Sequence, residues 1–397
     1  MRILVCSNTF PQAEDDGSPR FVYDLCQALA HTAEVTVLAP GPAGARPQER
    51  LGLVDVERFG YVLPSSAQQL AYRAEIPDNL RRSRLAKLQE LTFVLAQARA
   101  IRHVVSAREI DVVHSHWILP QGLSAAIARG RRRRFQHVVT LHGGDAYLLR
   151  QVALGRLLAR YVLDRADRVV AVSRNVRANL DATLGESSGA VIQPMGVHVA
   201  RFRTGAVAES PFPQGFLLVI AQLIKLKGVD VLLRALPHVR KQHPGVGLLV
   251  VGDGPEATPL IGLVHELGLD EAVQFVGTRT HSAIAALLRG CRAAVVPSVV
   301  DADGRAEGMP TVVGEALAAG ARVVASRVGG IPDIIEDGRN GWLAEPGASG
   351  DLAAKIVAAL DTERPHPIDA AAHEAAESLD WARIAEAYLG YTDGTSG

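Results

Sequence analysis

Cysteine, tryptophan and methionine each occur only three times in 397 residues, and aromatic residues make up 5% of the chain. Cys6, Cys26 and Cys291 are odd in number and lack metal-ligand spacing, so a disulfide framework and a cysteine-based zinc site are both excluded. A reduced, cytoplasmic protein fits that usage. No apolar run approaches the ~18 residues that a membrane-spanning helix needs. The opening MRILVCSNTF has too short an apolar stretch for a signal peptide and reads as a first strand. Arg131–Arg134 form one basic run and Arg81, Arg82 and Arg84 another, without the interleaved aromatics that nucleic-acid binding requires. No short-period repeat is present, which excludes a solenoid.

What is present is a globular composition, 48% hydrophobic and 21% charged. The length implies two domains. A net charge of zero hides an asymmetry: residues 1–203 hold 27 Lys and Arg against 18 Asp and Glu, and residues 204–397 hold 15 against 24. A basic first half suits anionic lipids or an acidic acceptor; attraction between two oppositely charged domains is the alternative.

Apolar runs at Ile3–Cys6, Val35–Ala39, Ile110–His114, Val138–Leu141 and Val169–Val172 read as strands. Helical periodicity lies at 19–30, 84–106 and 150–164. Strands alternating with helices predict a doubly wound, mostly parallel sheet. The proline-bearing segment 43–82 reads as loops over an acceptor side. Residues 207–215, VAESPFPQG, lose periodicity and read as a linker. The same architecture then restarts, with strands at 216–221, 247–251, 273–276 and 293–296 and helices from 228, from 255 and at 282–288. The expected division is therefore a first domain over 1–206, a second over 216–378, and a terminal helix within 379–397. That helix either crosses back to the first domain or caps its own.

The stretch Pro297–Gly330 carries the chemistry. A buried strand leads through an acidic, glycine-bearing loop into an apolar helix near Pro310. Proline suits a helix start, and the free amides of a first turn attract anions. Glu307 lies just before the helix and Glu315 in its second turn, about 8 Å deeper at 1.5 Å per residue. An anion flanked by two hydroxyl-rich groups, such as a nucleotide-sugar, matches that layout. For a lone glutamate, a solvated place near a helix start would be the ordinary reading.

From Glu307 to Leu343 the string EGMPTVVGEALAAGARVVASRVGGIPDIIEDGRNGWL resembles the donor-site signature of family-4 (group 1) retaining glycosyltransferases. The resemblance extends over nearly the whole chain and is weakest at 43–82 and 361–397. It implies an α/β fold of two Rossmann-like domains facing across a cleft, the GT-B arrangement. It also implies transfer of a hexosyl group, with retention and without a metal or other cofactor, from a nucleotide diphosphate sugar. UDP-sugar is favoured and GDP-sugar next. The acceptor would be a carbohydrate, lipid-linked or small-molecule hydroxyl.

The resemblance extends residue by residue. Glu307 would orient sugar hydroxyls, Glu315 would bind the ribose, and Gly308, Met309, Pro310, Thr311 and Val312 would supply the anion-binding turn. Lys227 matches the lysine that neutralises the departing diphosphate. The arginine that commonly precedes it is Gln222 here, so that Lys225 substitutes, or Arg20 reaches across, or the phosphate site is weaker than usual. Gly17 stands where a glycine pair faces the diphosphate, its second member being Ser18. Gly254, Val276 and Thr278 match turns beside the base. His142, in His142-Gly143-Gly144-Asp145, would line the reacting face, while His116 and Asp145 would meet the acceptor. His114 and His116 lack a third ligand at metal spacing, and Asp301 and Asp303 stand in the wrong half for a metal-binding pair. A hydrolase or epimerase on the same architecture, or a non-catalytic sugar binder, are the rival readings.

Overall fold

The structure is a computed structural model that describes residues 1–8, 10–13, 20–42, 44–68, 70–71, 84–130, 134–152, 154–301, 304–363 and 365–392. Gly17, Ser18, Arg81, Arg82, Arg131–Arg133 and Asp303 lie outside the described residues. Two compact units divide the chain: Met1–Pro194 with Trp381–Gly397, and Met195–Asp380. The stretch read as a linker lies inside the second unit. Phe212 is buried in that unit's core with Val197, Val199 and Phe202, so the division falls twelve residues earlier than the loss of periodicity suggests.

In the first unit the strands are β1 (Arg2–Cys6), β2 (Glu34–Pro40), β3 (Gln48–Leu51), β4 (Val54–Phe59), β5 (Val112–His116), β6 (Gln136–Leu141), β7 (Arg168–Ala171) and β8 (Val191–Ile192). They form one sheet in the order β3-β4-β2-β1-β5-β6-β7-β8. Among the described residues only β3 and β4 pair antiparallel. This hairpin occupies a segment expected to be loops. Its signal was there in Val54, Val56 and Arg58, which alternate inward, but charged residues between them masked the period. The single helix expected over 150–164 is two, Gly144–Gln151 and Gly155–Leu163. A Cβ on Gly155 would lie 1.9 Å from the Leu149 carbonyl oxygen, so the chain folds back there too tightly for one continuous helix.

The second unit holds β9 (Phe216–Ile220), β10 (Gly247–Val251), β11 (Val273–Gly277), β12 (Ala293–Val296), β13 (Val323–Ser326) and β14 (Trp342–Ala344). All pair parallel, in the order β11-β10-β9-β12-β13-β14. With helices on both faces such strands are buried throughout, which is why they read as unbroken Val, Leu and Ala. Renumbered from β9, the order is the 3-2-1-4-5-6 of a doubly wound nucleotide-binding sheet, and its direction reverses between β9 and β12. A crevice at the carboxyl ends of those two strands is where such sheets take ligands.

Candidate active site

Two loops meet at that reversal point. After β9 the chain makes a short turn at Lys225–Lys227 and enters the Val229–Gln242 helix through Gly228. Gly228 has φ +61°, and a Cβ there would lie 2.0 Å from the Pro297 carbonyl oxygen. Only glycine lets this loop press against the end of β12. The Val299 amide donates to the Leu226 carbonyl at 2.9 Å, fastening the two loops together.

The consequence is an ion pair between Lys227 Nζ and Glu307 Oε1. Ser298 Oγ also donates to Glu307 Oε1, at 3.3 Å. Glu307 is 8% exposed, held from the other side by Gly329, where a Cβ would meet the Glu307 carbonyl oxygen at 2.0 Å. The sequence motif Gly329-Gly330 thus has a packing cause. Beyond Glu307 the half-buried Gly308 and Met309 lead to Pro310, which precedes the Thr311–Ala318 helix rather than opening it. Among the described residues no side chain caps that helix start; the Val313 amide donates to the Pro310 carbonyl at 3.2 Å, which leaves the amides of Thr311 and Val312 to a ligand. Thr311 is exposed, and Val312 and Glu315 are half-buried.

The remaining donor-side residues of the second unit also follow strand ends. Gln222 and Lys225 are exposed after β9, Gly254 follows β10, and Val276 and Thr278 close β11. The Leu223 amide donates to the Asp253 carbonyl at 2.9 Å, which draws the first two loops together. Sulfur, imidazole and carboxylate groups do not gather into a metal-binding set among the described residues.

The first unit has its own cluster at the carboxyl ends of β5 and β6. Alternation along β5 puts His114 and His116 on one face, with ring centroids 4.3 Å apart. His116 Nδ1 lies 2.9 Å from His142 Nε2. His114 Nε2 lies 2.8 Å from Thr140 Oγ1, which in turn meets the Tyr388 hydroxyl at 3.2 Å. Tyr388 belongs to the Trp381–Gly390 helix, so the end of the chain contributes to this cluster. Trp117 takes φ +71°, a costly conformation for a bulky residue. Its ring and that of Phe21 each pack 4.9 Å from the His142 ring.

These imidazoles are neutral. Burial drives His114 and His142 down to about 3, with the neighbouring imidazoles adding repulsion. His116 falls well below its usual value for the same reasons. Burial raises Asp145, against the pull of amide hydrogen bonds.

Two expected acceptor contacts do not survive this geometry. His116 is 0% exposed and its ring is engaged with His142, so it offers nothing to an acceptor. Asp145 is buried and its carboxylate accepts from the amides of Ile118, His142 and Gly143, at 3.0–3.1 Å. It fixes the turn that presents His142. His142, half-buried, is the member of the trio that retains an open face. The aromatic neighbours Phe21 and Trp117 escaped sequence reasoning, because nothing in their spacing marks them as partners of a residue 25 or more positions away.

Residues 206–377 match the family model described as Glycosyl transferases group 1, and residues 16–201 match Glycosyltransferase Family 4. The chain belongs to the family-4, group 1 glycosyltransferases. Among relatives, the GDP-mannose-dependent alpha-(1-6)-phosphatidylinositol monomannoside mannosyltransferase of Mycolicibacterium smegmatis is 27% identical, over 98% of each chain. The sucrose-phosphate synthase of Thermosynechococcus elongatus has a similar structure, with a TM-score of 0.75 at 22% identity over 98% of this chain and 97% of that one. Anabaena HepE in complex with UDP gives 0.71 at 20% identity, over 99% and 100%. These structural likenesses establish the GT-B fold of this glycosyltransferase.

Proposed function

We propose that this glycosyltransferase moves a hexosyl group from a nucleotide diphosphate sugar to a hydroxyl acceptor, with retention of configuration and without a metal. The observation that carries the reading is the Lys227–Glu307 pair at the β9/β12 reversal, beside the uncapped start of the Thr311–Ala318 helix. A diphosphate in this position would draw Lys227 away from Glu307 and gain the helix amides as donors. Glu307, released from the lysine, would then accept from sugar hydroxyls. Glu315, about a turn further along the helix, would bind the ribose diol.

As the bond from the anomeric carbon to the phosphate oxygen breaks, negative charge grows on the diphosphate. Lys227 and the amides stabilise that charge, which is where transferases of this kind gain most. The acceptor oxygen bonds the anomeric carbon, and its proton passes to the departing phosphate oxygen. Acceptor and leaving group then share one face of the sugar, and configuration is retained. His142, neutral and open on one face, would hydrogen-bond the transferred sugar. The UDP complex of the Anabaena protein favours a UDP-sugar, while the mannosyltransferase relative keeps a GDP-sugar in second place.

The test is incubation with UDP-glucose, other UDP-sugars and GDP-mannose, each with and without a panel of hydroxyl acceptors and with a chelator present. A glycoside of unchanged anomeric configuration, formed only with acceptor, is expected. Rapid donor breakdown without acceptor would mark a hydrolase, and an inverted product would remove the same-face mechanism.

A further inference from the structure

The first unit carries a cavity of about 730 Å³ that the transfer reaction does not use. It lies at the amino ends of β1, β5 and β6, where Arg2 opens the first strand and Asp111 and Phe135 precede the other two. The histidine cluster stands at the opposite ends of β5 and β6, roughly 16 Å away at about 3.3 Å per residue. The helices Arg84–Arg108 and Leu123–Arg129 end beside the cavity and supply Arg102, Ser106 and Arg129 to its wall. Val105, Ile110 and Phe135 give it an apolar side. Its volume, and its few polar groups on an apolar lining, are those of small-molecule sites.

Four arginines line this cavity against two acids, and both acids are already engaged. Arg2 Nη1 donates to Glu109 Oε2 at 2.7 Å, and the Arg2 amide donates to Asp111 Oδ2 at 2.7 Å. Arg102 gives Nε and Nη2 to the carbonyls of Ala128 and Ile127, which compensates a helix end but leaves its charge without a carboxylate among the described residues. Arg129 is 5% exposed, with its two terminal nitrogens on the Arg165 carbonyl and on Asp167. Its buried Nε has no hydrogen-bond partner among the described residues. Arg134 and Ser106 are exposed, and neither has a side-chain hydrogen bond or ion pair among the described residues. Two guanidinium charges and a hydroxyl therefore line the cavity with no anion to answer them.

We propose that this cavity is a second ligand site, which takes a small molecule bearing a phosphate or diphosphate group. Guanidinium forks match phosphate oxygens two at a time, and such charge-assisted bonds are the strong ones. The phosphate would engage Arg102 and Arg134, with the Ser106 hydroxyl as a further donor. The organic part would lie against Val105, Ile110 and Phe135. A lone carboxylate is a poorer occupant, since it brings one negative charge to two cations, whereas a phosphate monoester brings nearly two at neutral pH. An uncharged sugar would leave both cations unanswered. The site shares no residue with Lys227 and Glu307, so the proposal goes beyond the transferase reading and does not rest on it.

The test is calorimetric titration of the full chain with inorganic pyrophosphate, begun on the Lys227→Ala variant so that the donor-side cation is gone. Binding of one pyrophosphate per chain, weakening as salt rises, is expected. Adding Arg134→Glu, at an exposed side chain, should weaken that binding at least tenfold and leave the melting temperature unchanged. Arg102→Gln is the second variant and should weaken it without reversing a charge. Lys241→Glu, an equal charge reversal at an exposed residue of the second unit, should leave it as it was. No binding to Lys227→Ala would overturn the proposal. So would binding whose affinity and stoichiometry both arginine changes leave intact, or which falls equally with Lys241→Glu. In the wild type, a further equivalent that only Lys227→Ala removes belongs to the donor side, and its absence would count against that reading alone.

Discussion

His116 Nδ1 sits 2.9 Å from His142 Nε2, and this pair fixes which nitrogen of His142 carries its proton. His116 Nε2 is buried without a hydrogen-bond partner among the described residues. If His142 donated, His116 would carry its hydrogen on that isolated nitrogen, and an orphaned N–H costs more than an unused lone pair. His116 therefore donates from Nδ1, and His142 keeps its own proton on Nδ1. On the role proposed for His142, His116 would act through it, as a positioning residue.

On the role proposed for His142, His116→Ala should lower kcat by about tenfold, because a misdirected hydrogen-bonding group at a reacting centre is costly. His116→Asn, whose amide nitrogen sits close to the place of Nδ1, should restore part of it. Nitrogen NMR of His142 is the deciding measurement. A protonated Nδ1 in the wild type and a mixture of tautomers in His116→Ala are expected; an unchanged His142 signal would reduce His116 to packing alone.

Lys227 and Glu315 should separate in kinetics. Lys227→Ala removes charge that matters most when the diphosphate departs, so kcat should fall by roughly a hundredfold. Glu315→Ala should instead weaken nucleoside diphosphate binding in calorimetry, by about tenfold for loss of a charged hydrogen bond. Near-normal turnover in the first, or unchanged affinity in the second, would move that role to another residue.

Much of this site was legible because it is local in sequence. Glu307, Gly308, Pro310 and Glu315 lie on one strand-loop-helix, and each of their places follows from the order of residues. Lys227 required a resemblance to be noticed, since the 80 positions between it and Glu307 are bridged only by the sheet order. The histidine cluster was legible in part. Strand alternation put His114 and His116 together, but besides Trp117, the next residue in the chain, the rings that pack on the cluster are Phe21 and Tyr388, which arrive from two distant segments. The same limit hid the β3–β4 hairpin, whose charged residues are satisfied by tertiary partners, as in the pairing of Arg108 with Asp55 and Glu57.

The buried imidazoles make stability depend on pH in one direction. Ordinary histidine titrates near 6.5; in the folded chain burial lowers His114 and His142 to about 3 and His137 to about 4. Below pH 6.5 the unfolded chain takes up protons that the folded chain refuses. Stability therefore falls as pH drops from 6.5, by about 1.4 kcal/mol per pH unit for each such imidazole, down to about 4 for His137 and about 3 for His114 and His142, and is unaffected by them above 6.5. Proton uptake on unfolding at pH 5, from calorimetry in buffers of different ionisation heat, is the check. Imidazole NMR signals that all titrate near 6.5 would refute it.

Gln97 offers a gain in stability. It lies on the inner face of the Arg84–Arg108 helix, 0% exposed, and neither its amide oxygen nor its nitrogen has a hydrogen-bond partner among the described residues. Gln89, one face-repeat earlier, differs in donating to the Ala67 carbonyl at 2.8 Å. A buried amide with both ends unsatisfied costs about 1–3 kcal/mol, and an apolar side chain of similar shape escapes that cost. Gln97→Leu or Gln97→Met should therefore raise the melting temperature of the first unit, by about 2–4 °C for each kcal/mol recovered. Gln89→Leu, which breaks a made bond and strands a carbonyl, should lower it. A fall in both variants would mean that Gln97 is held by an interaction its neighbours do not reveal.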